Sequence, residues 1–405
     1  MKMQRKNVAL AIAIAAAVAS PSAFATNGIL QAGNGMVAHG MGGAGLANAG
    51  EASAGMDNPA LINDTGTAVN VAWSYFSPLR EADFTAFGLG PIVITSDARE
   101  YAIPQVAFTV KGNDLISWGV QAYALGGMNT DYPFPGAGGV TPFGAGGAQT
   151  VNLQGLIVAP QISFAFTKNI SVGVSALVAK ETLRTRNLFG QGDAGTGEDQ
   201  ETGFGLKLGA NWKLLDGVAL AAVYQPKMSF GEMDFFKNFL GGFGFSGDAQ
   251  LTLPDQFGIG GKFAAGKNMD ILLDVLYYKW SGVDVFDFFG WDDQWVYKVG
   301  AEFRPSDAWA LRVGYNYGKS PIQGGNKAVN GGLDAVFANY VFPAISEQHV
   351  TLGVGYKLAK NTTVNGYFLY SPEKTVESEA APGNPAGVKV SMSQSAFGIG
   401  LNVGF

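Results

Sequence analysis

Cysteine is absent from all 405 residues, which excludes a disulfide framework and thiol chemistry. Charge is scarce as well. Asp, Glu, Lys and Arg make up 14% of the chain, against roughly 25% in an ordinary soluble protein. Histidine occurs only as His39 and His349. Two imidazoles so far apart, with no thiol, offer no metal set. Neither has a serine-bearing motif beside it, so no nucleophile with a base in reach is indicated and no catalytic residue is assigned. No cofactor motif is visible. After the N-terminus no apolar run reaches the roughly 18 residues that a membrane helix needs. Yet apolar residues make up 47% of the chain. Greasy overall, poor in charge and without spanning helices, the composition suits a chain that crosses lipid as strands.

What is present begins with a secretory signal. Lys2, Arg5 and Lys6 form a charged region, Val8 to Ala19 an apolar one, and Ala23-Phe24-Ala25 a cleavage site, so residues 1–25 are expected to be removed. Losing those three cations and no anion takes the formal net charge from −6 to −9. An acidic chain of this kind indicates no nucleic-acid partner.

From Thr67 a period of two sets in. Val69, Val71, Trp73 and Tyr75 alternate with Asn70, Ala72 and Ser74, which puts the bulky apolar side chains on one face of a strand. Short turns at Lys168-Asn169, Leu215-Asp216-Gly217, Gly266-Lys267-Asn268, Pro305-Ser306-Asp307 and Lys360-Asn361 alternate with long loops. The loops fall at roughly 77–99, 126–152, 184–200, 231–248, 284–293, 319–346 and 373–388 by this reading. That contrast predicts an all-β fold, a transmembrane antiparallel β-barrel of about 14 strands over residues 67–405. The final stretch agrees: Phe397, Ile399, Leu401, Val403 and Phe405 share one face. A soluble edge so apolar invites aggregation, whereas a closed barrel has no edge. An alternating C-terminal strand closed by Phe resembles the ending of bacterial outer-membrane barrels.

Residues 26–66 are rich in Gly, Ala and Asn and carry Asn58-Pro59-Ala60 ahead of the β pattern. Further on come Gly203-Phe204-Gly205, Leu253-Pro254-Asp255-Gln256-Phe257-Gly258-Ile259-Gly260, Tyr278-Lys279-Trp280-Ser281 and Leu311-Arg312-Val313-Gly314-Tyr315 with Ser320-Pro321. In this order, across nearly the whole mature chain, the segments resemble the FadL-type outer-membrane transporters of long-chain fatty acids. The resemblance implies that residues 26–66 fold inside the barrel as a hatch around Asn58, Pro59 and Ala60. It also implies a passive channel for hydrophobic molecules in a Gram-negative outer membrane. The chain is shorter than the fatty-acid members and closer in length to the branch resembling transporters of aromatic hydrocarbons. The substrate therefore stays open between fatty acids and monoaromatic hydrocarbons of the toluene type.

The strand phase also sorts wall residues. A charged residue on the lipid face costs up to about 2–4 kcal/mol, so the face holding Asp274 is the lumen. Leu272, Leu276 and Tyr278 share it, and Phe76 and Leu177 point inward by the same phase. Each either lines a pocket for a hydrophobic solute or packs against the hatch. Lumen bases come out as Lys207, Lys262, Lys298, Arg312 and Lys357, beside Glu302 and His349. A base in an apolar cavity would hold a fatty-acid carboxylate. The alternative is internal pairing: Lys262 with Asp274, Arg312 with Glu302, or any of them with Glu51, Asp57 or Asp64.

Two outer loops are unexpectedly apolar. Phe235, Phe236, Phe239, Leu240 and Phe243 follow helical spacing in one, and Phe286 and Phe289 lie in the other. Exposed apolar patches mark interaction surfaces, and the resemblance implies a groove that captures substrate; a self-packed cap over the mouth is the alternative. Pro104 and Pro160 lie in the second and fourth strands, where a proline cannot donate to the ladder. Gly119 and Gly126 make the third strand bendable between them. The family is known for an inward kink in this strand, so the two prolines are expected to frame a lateral opening.

The function expected is uptake of hydrophobic small molecules: capture at the outer loops, a lumen pocket, rearrangement of the hatch and sideways release. The surroundings would be lipopolysaccharide and phospholipid, and the barrel a monomer. Two further classes are a barrel serving as adhesin or phage receptor and an outer-membrane lipase.

Overall fold

The structure, a computed structural model, describes residues 27–85, 92–134, 146–324, 334–378 and 387–405; the signal segment 1–25 lies outside these. Fourteen antiparallel strands form one cylinder among the described residues. In chain order they are β1 (Ala68–Asp83), β2 (Tyr101–Lys111), β3 (Ile116–Tyr132), β4 (Gln149–Ala165), β5 (Ile170–Arg186), β6 (Gly197–Leu215) and β7 (Val218–Gln225). The ring continues with β8 (Asp255–Ala264), β9 (Met269–Lys279), β10 (Gln294–Phe303), β11 (Trp309–Gly318), β12 (Gln348–Ala359), β13 (Thr362–Glu377) and β14 (Lys389–Gly404). Each strand follows its predecessor in the sheet, and β14 closes the ring on β1 from Ala68↔Gly404 to Asp83↔Lys389. Two short pieces, Val93–Thr95 on β1 and Ser229–Phe230 on β6, extend the wall locally.

Period-two patterning explains which way the wall faces. Leu272, Asp274, Leu276 and Tyr278 are buried inside, while Leu273 is 47% exposed on the outer face. Phe397, Ile399 and Leu401 of β14 are likewise exposed on the outside. Trp118, Trp212, Trp309 and Tyr356 stand outward near the short-turn end, and Tyr277, Trp295, Tyr317 and Tyr370 near the long-loop end. These are the two aromatic belts of a lipid-embedded barrel.

The strands outrun their apolar signal. Residues 77–83, 126–132, 149–152, 184–186, 197–200 and 373–377, read as loop from the sequence, continue as strand. Antiparallel ladders are held by backbone hydrogen bonds and do not need lipid. Above the lipid band the outward positions turn polar, as at Lys180, Arg184, Glu198 and Gln200, and the alternation of hydropathy disappears while the ladder goes on.

Residues 27–66 fold inside the cylinder. They hold a short helix α1 (Gly35–His39), buried throughout, two 3₁₀ turns at Ala52–Met56 and Pro59–Leu61, and α2 (Ile62–Thr65). Their contacts reach strands all round the ring. The Gly42 amide donates to Thr351 Oγ1 on β12 at 2.7 Å, and the Ala52 amide to Asn402 Oδ1 on β14 at 3.0 Å. Gly45 binds Asp274 on β9, and Lys207 on β6 donates to the Met56 carbonyl at 2.9 Å.

Candidate functional site

β2 and β3 pair only from Val106↔Ala122 to Lys111↔Ser117, although β2 runs back to Tyr101 and β3 on to Tyr132. On its other side β3 stays paired with β4 up to Tyr132↔Gln149, with a bulge between Ala124 and Gly126. Leu125 is the extra residue, and such an insertion bends the strand that carries it. Gly126 sits at φ +137°, and a Cβ there would lie 2.3 Å from the Ile29 carbonyl oxygen. Every residue from Gln121 to Thr130 is buried, on both faces. The strand has left the wall and turned inward. The loop Ser96–Ala98 closes the top of the resulting window: the Asp97 amide donates to the Asp131 carbonyl at 2.8 Å, and the Asp131 amide to Ser96 Oγ at 2.9 Å.

The N-terminal segment fills this window from within. Gln31 Nε2 donates to the Ala124 carbonyl at 3.2 Å, and the Gly127 amide to the Ile29 carbonyl at 3.3 Å. From β2, Gln105 Oε1 accepts from the Gly35 amide at 3.0 Å.

Pro104 stands opposite Trp73 of β1 on the open edge of β2, where its missing N–H leaves no ladder bond to lose. Pro160 does not frame the window. It lies opposite Val120 in the continuous β3–β4 ladder and interrupts pairing toward β5 instead, between Val158↔Val178 and Gln161↔Ser175. Gly119 is not a hinge of the window either; it is regularly paired with Thr109 and Gln161.

Deeper in, a cavity of about 60 Å³ is lined by Asn34, Asp57, Tyr123, Leu125, Leu276, Tyr278, Lys207 and Lys298, among others. Burial raises the pKa of Asp57, and the Lys298 ammonium pulls it back; the carboxylate accepts from Asn34 Nδ2 at 2.8 Å. Lys298 has no hydrogen-bond or ion-pair partner among the described residues. Leu276 and Tyr278 line this cavity, whereas Leu272 packs on Val37, Met41 and Ala44 of the segment. Phe76 packs with Met36 and Tyr101, and Leu177 belongs to the main apolar core.

Toward the short-turn end Lys262 and Arg312 are paired, while Lys357 is exposed and makes no ion pair among the described residues. Lys262 meets Asp270 at 3.2 Å and Asn48 at 3.1 Å, not Asp274, because Asp274 is committed to the amides of Gly45 and Leu46. Arg312 binds Glu302 at 2.7 Å, and Arg304 bridges Glu302 and Asp270. Asp64 pairs with Lys213, a partner outside the expected set of lumen bases. Asn58 Nδ2 donates to the carbonyls of Leu46 and Ala210 at 2.8 and 3.1 Å, while its Oδ1 accepts from Ala60 at 3.0 Å. Pro59 and Ala60 rest against Gly173 of β5.

The apolar outer loops differ from the expected open patch. Phe236 and Leu240 of α3 (Asp234–Gly241), and Phe286 of α4 (Asp284–Phe288), are fully buried, with Phe239 and Phe289 nearly so. Phe235 and Phe243 are half-buried. They pack with Trp280, Trp291, Tyr340 and Phe342 into a cap over the mouth. The helical spacing was legible and a self-packed cap stood as the alternative to a groove; its partners were not legible, since Tyr340 and Phe342 come from a loop a hundred residues beyond α3 in sequence.

A profile of the family described as outer membrane protein transport protein (OMPP1/FadL/TodX) matches residues 12–405. The chain belongs to this family. It is an outer-membrane transport protein of the FadL type. Among solved structures it resembles the Pseudomonas putida toluene transporter TodX, with 17% identity over 92% of this chain and 99% of that one and a TM-score of 0.67. The Ralstonia pickettii toluene transporter TbuX gives 18% identity, 92% and 98% coverage and a TM-score of 0.64. A Pseudomonas aeruginosa FadL homologue gives 14%, 96% and 100%, and 0.66. At these identities the likeness speaks to the barrel fold. No curated sequence matches the chain.

Within this FadL-type barrel, sequence reasoning missed Asn34, Tyr123 and Leu125 at the cavity. A signal for the last two existed: Ala122-Tyr123-Ala124-Leu125 breaks the alternation of β3, the mark of a strand enclosed on both faces.

Proposed function

We propose that the chain is a passive channel through which hydrophobic molecules leave the outer surface, enter the small lumen cavity and pass sideways through the window between β2 and β3. The carrying observation is that window, an unpaired edge of β3 stoppered by residues 27–31. Residues 26–66 act as the hatch, and its first residues are the part that must move. Sideways exit suits such a solute, since apolar surface gains by staying out of water. The route calls for no chemistry and no energy source, and one barrel in a phospholipid and lipopolysaccharide membrane contains all of it. Capture begins at the half-buried Phe235 and Phe243, with the cap beneath them parting.

Neutral solutes of the monoaromatic type suit lumen bases that are mostly paired; the cavity of about 60 Å³ is smaller than the roughly 150 Å³ that holds a benzene ring and must widen as the segment moves. Lys298 supports a second reading, long-chain fatty acids, because a buried ammonium with no hydrogen-bond or ion-pair partner among the described residues is matched to a carboxylate. Cells lacking the gene, complemented with the wild-type chain or with Leu125 deleted, distinguish these. Deleting the bulged residue lets β3 straighten and pair with β2. Uptake of labelled toluene or palmitate, whichever the wild type supports, is expected to fall at least tenfold. Undiminished uptake with the barrel intact would rule out the lateral route.

A further inference from the structure

Glu181 is the least accounted-for side chain in the lumen. It points inward from β5, is wholly removed from solvent, and neither carboxylate oxygen has a hydrogen-bond partner among the described residues. Its cross-strand neighbour on β6 is Glu201, also inward-facing, and no cation among the described residues pairs with either. Its neighbour on β4 is Gly155. Where a side chain would stand on Gly155, Leu125 lies across, its Cβ 2.9 Å from that position. The surrounding inward residues are Leu153, Ile157 and Leu183, with Phe230 over the adjoining Gly203.

Carboxyl groups are rarely buried unless paired. An apolar residue here would cost nothing in partners and gain in packing, so stability does not explain Glu181. Its position does suggest a role. It lies within the apolar part of the lumen, with only β4 between it and the bulge that turns β3 inward, and therefore beside the path proposed above. A solute with an O–H or N–H on an apolar body would bury its body against Leu153, Leu183 and Phe230 and donate to the carboxyl group. A plain hydrocarbon would leave that acceptor unmatched.

Resting on the channel reading, we infer that Glu181, faced by Glu201, is a recognition site for hydrophobic solutes bearing a hydrogen-bond donor, such as an aromatic alcohol or amine. The site adds a polar preference to a path otherwise indifferent to anything but greasiness. It also disfavours ionised carboxylates, which two facing carboxyl groups repel.

The test is saturable binding of toluene, benzyl alcohol and benzylamine to the full chain in lipid nanodiscs, for wild type, E181Q and E181L. Expected is that E181L binds the alcohol and the amine about fivefold more weakly, the factor one hydrogen bond confers, with toluene unchanged. E181Q, which keeps volume and an acceptor but not the charge, retains the alcohol and weakens the amine. Equal effects on all three probes, or no effect of E181L on the two donors, would overturn the inference. Failure of the channel reading shows separately, as wild-type chain in liposomes that does not speed toluene across the bilayer.

Discussion

Asp274 Oδ2 accepts a hydrogen bond from the Gly45 amide at 2.8 Å and a second from Leu46 at 3.1 Å. A side chain of the wall thus holds the backbone of the inner segment, and the partners are 229 residues apart. Bonds from amides to a carboxylate contribute roughly 1.5–3 kcal/mol each when buried. Asp274→Ala removes both. The amides of Gly45 and Leu46 are expected to lose hydrogen-exchange protection by a factor of at least ten while the strands keep theirs. Unchanged protection at those two amides would show that the segment is seated without this carboxylate.

Gly173 of β5 is a second seating point. A Cβ there would lie 2.3 Å from the Pro59 carbonyl carbon and 2.5 Å from the Ala60 nitrogen, so only glycine lets the wall touch the Asn58–Ala60 turn. Gly173→Ala forces the turn away at a cost of roughly 1–3 kcal/mol. The expected readout is a rise in single-channel conductance in planar bilayers, as the bore is partly unblocked. A conductance equal to wild type contradicts the close approach.

His39 makes the inner segment sensitive to acid. It is buried, stacks on Tyr367 with ring centroids 4.5 Å apart, and its Nδ1 lies 2.7 Å from the Gly35 carbonyl. Burial is the chief reason its pKa falls to about 4, from the ordinary 6.5. With a folded value below the unfolded one, the unfolded chain binds the extra proton between those limits. The His39 contribution is therefore complete above pH 6.5 and is lost as pH falls toward 4, a change of up to roughly 3 kcal/mol. His39→Gln should flatten that part of the pH–stability curve. The same acid slope in both proteins would assign the effect elsewhere.

The outward phase can be checked at Leu352, which is 57% exposed on the outer face of β12, next to the inward Thr351. Leu352→Lys places an ammonium in lipid and is expected to lower folding stability in bilayers by about 2–4 kcal/mol. A cost under 1 kcal/mol would move this residue out of the hydrocarbon layer.

Much of the barrel was legible because its signal is local. Alternation at Val69–Tyr75 or Ile271–Tyr278 needs no knowledge of the rest of the chain, and a turn such as Lys360-Asn361 marks its own strand ends. The bent strand was half legible: Pro104 and Gly126 were informative, while Pro160 misled, since a proline reports a missing ladder bond without saying on which side. Pairings inside the lumen were the least accessible. Arg312 with Glu302 follows from adjacent strands, but Asp274 with the Gly45 amide joins distant parts of the sequence through backbone, which no side-chain pattern encodes. Glu181 carries no mark in the sequence, and only enclosure by other strands makes it unusual.

All 16 residues of β1 are matched by β14, so the cylinder is zipped shut along a join between its earliest and latest strands. Residues 27–66 lie within that join and are bonded to both halves of the ring. The segment leads directly into β1, and at that point the Phe405 amide donates to the Thr67 carbonyl at 2.9 Å, so the first and last parts of the wall are fastened together at the root of the stopper.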